Sequence, residues 1–143
     1  MHIYETASWW ENAFENWKED ENQAKFYSLM QKYHDLVLFE VTGHDHLAGL
    51  RTHALNDSQD QYLNKVLFPG LTANSSTNPG FGVFEYDSDA QIVSKLQFTY
   101  INLDDTLNMP EDTTFDALPW FNVDLEKKFS LMDLSGDSIY SLV

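Results

Sequence analysis

Residues 36–46 read LVLFEVTGHDH, and this stretch decides the fold class that the sequence predicts. Its first six residues form a short, nearly continuous apolar run, which is typical of a parallel strand covered on both faces. Gly43 then permits a sharp turn. Because ligands of α/β sheets bind beyond the carboxyl ends of the strands, His44 and His46 stand where chemistry is expected.

Helical and β-type patterns lie on either side of this stretch. Upstream, apolar residues spaced at i, i+3, i+4 and i+7 predict helices over residues 6–17 and 21–34. A helix followed by a buried strand indicates an α/β layer. Downstream, the patterns predict strands at residues 50–55 and 65–68 and a hairpin formed by residues 82–86 and 92–103.

The C-terminal third of the chain is predicted to lie outside this unit. Residues 104–119 are polar and acidic, and we interpret them as a linker that crosses the surface. Residues 120–143 mix apolar and polar side chains at helical spacing, which predicts a helical extension with short helices at 123–129 and 138–142. The sequence therefore predicts an α/β (α+β) domain over residues 1–103, followed by a linker and a helical tail.

Composition excludes several classes of function. The chain has 143 residues, enough for one domain, and 8 Lys+Arg against 23 Asp+Glu give a net charge of −15. That charge repels phosphate backbones and acidic lipids, so nucleic-acid backbone binding is not expected. Cysteine is absent, which excludes disulfides and thiolate metal sites. We predict neither a transmembrane segment nor a secretory leader.

The turn after the apolar run holds the best candidates for metal ligands. Neutral imidazole suits zinc, iron and manganese. His44 and His46, two residues apart in a turn, can approach two neighbouring metal ions or bind one together. A bare His-x-His pair also occurs by chance, and its position after a strand and a glycine strengthens the metal hypothesis. Asp45 is expected to be an exposed turn residue.

The other three histidines are weaker candidates. His2 is, on its own, an ordinary residue near the start of the chain. His34 ends a predicted helix, where a cation complements the helix dipole, so we interpret it as structural. His53 lies in a predicted strand, either in the core or at the rim. No nucleophile elbow and no phosphate-binding glycine loop occur in the sequence.

Five short motifs stand in a fixed order along the chain. They are MHI at residues 1–3, GHDH at 43–46, FPGLT at 68–72, NPGFGVFEYD at 78–87 and FSLMDLS at 129–135. In this order they resemble the HIPPG, GHxH, PS(V/L)T, NPGYRVYEID and YGLxDLS motifs of the calcineurin-like metallophosphoesterases. The resemblance is to the C-terminal half of the acid sphingomyelinase-like branch, and it covers nearly the whole chain.

The resemblance implies part of a metal-dependent phosphodiesterase. The fold would be the C-terminal half of a β-sandwich flanked by helices. Two divalent metals, zinc first and iron or manganese as alternatives, would hold phosphate oxygens and activate a water for attack on phosphorus. His2 and His44 would bind one metal and His46 the other. The substrate would be a phosphodiester, such as a choline-phospholipid head group or a nucleotide.

The chain lacks the family's D-x-H, G-D-x-x-D and G-N-H motifs, which carry the remaining ligands. We therefore assign no catalytic residue, and we expect at most one metal and little or no turnover on this chain alone. Half a sandwich would expose a sheet edge and face. We accordingly expect a fragment, or a half that pairs with a complementing N-terminal half or with another copy. Family members are usually secreted or lysosomal, which the absence of cysteine argues against.

Two other interpretations stay open. The first is a non-catalytic acidic interaction protein on a degenerate phosphoesterase scaffold. The second is an unrelated acidic β-rich binding module in which the His-x-His pair arose by chance. A stable chain that binds no metal would favour the first, and histidines 2, 44 and 46 lying apart would favour the second.

Overall fold

A computed structural model describes residues 20–73, 77–131, 133–134 and 138–139. These residues form a mixed α/β fold with two small sheets and few helices, which confirms the predicted class. The helices are α1 (Asp20–Lys32), α2 (Leu103–Thr106) and α3 (Leu125–Phe129), with 3₁₀ turns at His34–Leu36 and Phe115–Ala117. The strands are β1 (Glu40–Thr42), β2 (Gly49–Ala54), β3 (Tyr62–Leu67), β4 (Gly80–Asp87), β5 (Ile92–Ile101) and β6 (Trp120–Asp124).

Sheet A has the strand order β1-β3-β2. β1 runs parallel to β3, with Val41 opposite Val66 and Thr42 opposite Leu67. β2 runs antiparallel to β3, and Gly49 also lies opposite Leu67. The prediction of a parallel strand before the histidine turn is therefore confirmed. The carboxyl ends of β1 and β3 lie side by side at one edge of sheet A.

The predicted strand at residues 36–41 is wrong in its bounds. Leu36 belongs to a 3₁₀ turn and is 78% exposed, and only Glu40–Thr42 pair with another strand. Local hydrogen bonds explain the difference, because the N–H of Leu36 donates to Tyr33 O and that of Val37 donates to His34 O. A short apolar run does not by itself distinguish a strand from a turn with one buried side.

Sheet B has the strand order β4-β5-β6 and is antiparallel throughout. Its first two strands are the predicted hairpin. The side chain of Asp87 accepts hydrogen bonds of 2.9 Å from the N–H groups of Asp89 and Ala90, so it closes the turn between them. An aspartate that binds backbone two and three residues ahead is a common turn device, and the sequence shows it directly.

The predicted helix at 123–129 is confirmed over residues 125–129, which form α3, and is wrong at residues 123–124, which belong to β6 (Trp120–Asp124). β6 adds the third strand to sheet B, with Val123 opposite Phe98. Burial along β6 does not alternate with a period of two, so it is the pairing with β5 that makes these residues a strand. Asp124 then caps α3 by accepting a hydrogen bond from Lys127 N at 3.1 Å. Of the second predicted helix, 138–142, only residues 138–139 are described, and they are helical.

Helix α1 confirms the second predicted helix, whereas the first, 6–17, lies outside the described residues. α1 covers the outer face of sheet A through Tyr27, whose ring stacks on His53 at a centroid distance of 4.0 Å. Within the described part of the chain, no helix is both long enough and apolar enough to cross a bilayer. The predicted linker contains α2 and a 3₁₀ turn whose Phe115 packs on Trp120 of sheet B.

The hydrophobic core lies between the two sheets. Its buried centre combines one residue of β3, two of β5 and the first residue of α3: Val66, Leu96, Phe98 and Leu125. Partly buried apolar side chains close it on all sides: Phe39, Leu50, Phe68, Val123 and Leu134. Because Phe39 and Phe68 directly precede β1 and follow β3, the core fixes both flanks of the sheet edge that carries the histidine turn.

Candidate functional site

The histidine turn leaves sheet A at the carboxyl end of β1. Thr42 ends the strand, is buried, and accepts a hydrogen bond of 2.9 Å from Phe68 N. This bond joins the start of the GHDH turn (residues 43–46) to the start of the FPGLT segment (residues 68–72). The two motifs therefore emerge together at one sheet edge, as the sequence predicted for GHDH.

The backbone of the turn is unusual at both histidines. His44 has a φ of 81° and His46 a φ of 56°, both in the left-handed region. For residues other than glycine this region costs roughly 1–2 kcal/mol each. Between them Asp45 is only 2% exposed, so the expectation of an exposed aspartate is wrong. A buried side chain at the centre of the turn anchors it, and the two flanking imidazoles stay partly exposed.

The ring of His46 lies against the FPGLT segment. Its Nδ1 is 3.3 Å from the backbone oxygen of Thr72 and 3.4 Å from the Thr72 hydroxyl. The same ring packs on Gly70, where an added Cβ would lie 2.3 Å from Nδ1. These contacts place the Nδ1 side of the ring against the FPGLT segment.

The NPG segment, residues 78–80, is hydrogen-bonded to the loop that contacts this histidine. Gly80 N–H donates to Gly70 O at 2.9 Å, and Gly70 is the residue on which the His46 ring packs. Pro79 O accepts from Ile101 N at 3.0 Å, and the Asn78 side chain accepts from Leu103 N at 3.1 Å. The end of sheet B therefore supports the loop that holds His46.

The other histidines are placed elsewhere or lie outside the description. His2 belongs to the undescribed residues, so its expected approach to His44 and His46 stays a prediction. His34 lies beyond the opposite end of sheet A, where its Nε2 is 2.8 Å from the Gln61 amide. His53 packs on Tyr27, and burial lowers its pKa. Among the described residues, no group of three or more histidine, aspartate or glutamate side chains is arranged to hold a metal ion.

A second polar cluster lies on the outer face of sheet A, under α1. Glu40 and Lys65 are paired across β1 and β3, and the Lys65 ammonium lies 5.4 Å from the centre of the Tyr27 ring. Burial lowers the pKa of Lys65 to about 8 and raises that of Glu40. Burial, with the charge of Glu40, raises the pKa of Tyr27 to about 12. Burial thus favours the neutral forms of these three side chains, which lie beside the strand that leads into the turn.

Sequence reasoning missed the residues that support the turn rather than those that face solvent. Gly70 and Thr72 were noted only as part of a motif, yet they contact the His46 ring. Glu40 and Lys65 were counted within apolar strands, although a charged residue inside such a run was a visible signal of a buried polar cluster.

The donor set fits part of a metal site. Two imidazoles on one anchored turn, one with its ring orientation fixed, are ligands that zinc, iron and manganese accept. A complete two-metal site needs further carboxylate and imidazole ligands. No protein-family model matches the chain, and a search of curated proteins found no match. The turn and the order of the motifs are therefore the features of this chain that bear on its function.

Proposed function

We propose that the chain is the C-terminal half of a metallophosphoesterase domain of the acid sphingomyelinase-like type. Its role is to supply histidine ligands to a two-metal site that hydrolyses phosphodiesters. The motif order in the sequence supports the family, and the two sheets with a core between them are compatible with half of its sandwich. We assign no catalytic residue to this chain, because the D-x-H, G-D-x-x-D and G-N-H motifs are absent from it.

One observation carries the proposal. His44 and His46 both take left-handed backbone conformations in a turn that follows a parallel strand directly. Gln59, Gln91 and Ser130 take the same conformation elsewhere in the described chain, so the backbone strain by itself does not identify a ligand site. What supports a ligand role is that two imidazoles stand in one turn directly after a parallel strand, the place where ligands of α/β sheets bind.

The chemistry assigns distinct roles to this chain and to its complement. Divalent metals at the site would supply positive charge to phosphate oxygens and lower the pKa of a bound water. His44 and His46, with His2 as the family pattern implies, would bind them from this side. The remaining ligands must come from a complementing N-terminal half or from a second copy of the chain. The isolated chain therefore binds at most one metal and has little or no turnover.

Metal content tests the proposal. The purified chain is loaded with zinc, freed of excess metal and measured by elemental analysis, with iron and manganese in parallel. We expect about one zinc per chain. His44→Ala and His46→Ala lower this content while the circular dichroism spectrum stays unchanged, because neither side chain belongs to the core.

His34→Ala is the matched control, because His34 is also partly exposed but lies at the other end of sheet A. It should keep the zinc content of the wild type. Wild-type chain without metal, or His46→Ala with undiminished metal, would contradict the proposed ligand roles.

The non-catalytic alternative rests on a different surface. Strand β4 is an edge of sheet B and exposes Val83, Phe84 and Tyr86. Large exposed apolar side chains on an edge strand are typical of protein interaction sites. A chain that binds no metal, but forms a stable complex through β4, would favour an interaction protein over the metal-site half.

A further inference from the structure

The segment between β3 and β4 forms a seat for the His46 ring. The seat consists of Gly70, which lies under the ring, and Thr72, which faces Nδ1 with its backbone oxygen and its hydroxyl. No sequence motif identifies this contact, because 24 and 26 positions separate the partners along the chain. The contact exists only because β1 and β3 end at the same sheet edge.

The chemistry of the seat specifies which ring nitrogen carries the proton. A carbonyl oxygen only accepts hydrogen bonds, so the contact with Thr72 O requires a proton on Nδ1. The Thr72 hydroxyl can accept as well as donate, and both contacts are satisfied when it also accepts from Nδ1–H. In a neutral imidazole the other nitrogen, Nε2, then keeps its lone pair.

Glycine at position 70 is a requirement of the ring and not of the backbone. None of the described glycines has a positive φ, so alanine fits the local backbone at position 70. Its Cβ, however, would lie 2.3 Å from Nδ1, 2.6 Å from Cγ and 2.9 Å from Cε1 of His46. These atoms belong to a side chain that can rotate, so the ring moves and the fold is kept.

We propose that Gly70 and Thr72 are positioning residues that hold His46 in the Nδ1–H tautomer and present Nε2 to a divalent metal ion. This inference rests on the proposed function for its metal, but the seat itself does not depend on it. The hydrogen bond from Gly80 N–H to Gly70 O fixes the seat to the start of β4. Sheet B thereby determines the orientation of a ligand that sheet A carries.

The tautomer can be measured on the metal-free chain. With ¹⁵N-labelled histidine, a long-range ¹H–¹⁵N correlation spectrum separates protonated from unprotonated ring nitrogens. The spectrum is recorded above the ordinary imidazole pKa of about 6.5. We expect a protonated Nδ1 and an unprotonated Nε2 for His46. His46→Ala assigns the signal. A wild-type spectrum with a protonated Nε2, or with both tautomers populated, would overturn the proposal.

Three variants separate the seat from general stability. Gly70→Ala should populate both tautomers and weaken zinc binding by about 10- to 100-fold, as loss of an outer partner of a metal ligand does. Gly49→Ala is the matched control, because beyond its chain neighbours no described atom lies within 4 Å of a Cβ at position 49. Thr72→Val keeps the carbonyl and should keep the tautomer; loss of the tautomer there would assign the contact to the hydroxyl and overturn the carbonyl's role.

The two readouts distinguish failure of this inference from failure of the proposed function. If the wild type binds zinc and Gly70→Ala binds it equally well, the positioning role is overturned and the metal site stands. If the wild type binds no zinc, the proposed function is overturned, and the presentation of Nε2 to a metal is overturned with it. Both the positioning role and the metal site are supported if the wild type has the Nδ1–H tautomer and if Gly70→Ala, but not Gly49→Ala, binds zinc more weakly.

Discussion

The two sheets bury different mixtures of side chains. Sheet A and the turn that follows β1 bury the polar residues Thr42, Asp45, Asn64 and Lys65 beside the apolar residues Leu63, Val66 and Leu67. Sheet B, apart from Thr99, buries apolar residues: Val93, Leu96, Phe98 and Ile101. Apolar burial stabilises a fold, whereas burial of polar groups stabilises it only when their partners are well placed. Both sheets therefore contribute apolar side chains to the core, whereas the buried polar groups are concentrated in sheet A and in the turn that follows it.

The largest effect is expected from the core side of sheet B. Leu96 is 1% exposed and lies at the centre of the core between the sheets. Leu96→Ala removes apolar contacts and leaves a cavity, which costs about 2–5 kcal/mol. Urea unfolding followed by tryptophan fluorescence measures the loss.

Val83→Ala in the same hairpin is the control, because Val83 is 49% exposed. Its effect should stay within about 0.5 kcal/mol. Equal losses for the two variants would mean that sheet B does not provide the core as described.

A smaller and opposite effect is expected on the outer face of sheet A. Lys65 is 1% exposed, and its neighbours there include Tyr27, Glu40, His53 and, across the strands, Arg51. Lys65→Met keeps the length of the side chain and removes the buried amine. We expect the variant to be more stable than the wild type at pH 7 by about 1–2 kcal/mol, measured by urea unfolding.

The pH dependence checks the same assignment. The pKa of Lys65 is about 8 in the fold and 10.5 ordinarily, so between these values the unfolded chain holds a proton that the folded chain has lost. Wild-type stability therefore rises with pH above about 8. Above pH 10 the ionisation of Tyr27 has the opposite effect and lowers the stability as the pH rises. Its pKa is 10.0 ordinarily and about 12 in the fold, so the unfolded chain loses this proton first. In Lys65→Met the stability should no longer rise above pH 8 but should still fall above pH 10. An unchanged rise of stability would show that Lys65 is not its source.

At His44 a glycine variant should be more stable than an alanine variant, which is the reverse of the order in a helix. His44→Gly and His44→Ala both lose the imidazole, but only glycine adopts a φ of 81° without strain. We expect the glycine variant to be more stable by about 1 kcal/mol. Ser28, an exposed residue in the interior of α1, provides the control, since Ser28→Gly should be less stable than Ser28→Ala by about 1 kcal/mol. The same order at both positions would show that the turn is not left-handed at His44.

What the sequence could predict follows from how local each feature is. The hairpin of sheet B was visible because its turn is closed by Asp87, within three residues of its partners. Helix α1 was visible from its spacing alone. The strand at β6 was not predicted, and its last two residues were assigned to a helix, because only the pairing with β5 makes the segment a strand. Local patterns carry local structure, and pairing across distant segments overrides them.

The candidate site divides in the same way. The position of His44 and His46 after a strand was predictable, since the apolar run and Gly43 precede them directly. The burial of Asp45 and the seat under His46 were not, because their partners come from elsewhere in the chain. A histidine motif can therefore identify ligand candidates, whereas their orientation depends on contacts that only the fold provides.

The smallest effect is expected where sheet B carries charge. Lys95 and Glu85 lie opposite each other on β5 and β4, with Nζ 3.0 Å from Oε1, and both are exposed to solvent. Such a pair gains little, since water screens the attraction and two flexible side chains must be ordered. In a double-mutant cycle with Lys95→Met and Glu85→Gln, the two changes in unfolding midpoint should add without measurable coupling. A coupling energy larger than the stability change in Lys65→Met would contradict this comparison. The stronger electrostatic contribution would then come from the solvent-facing hairpin and not from Lys65 on the buried face of sheet A.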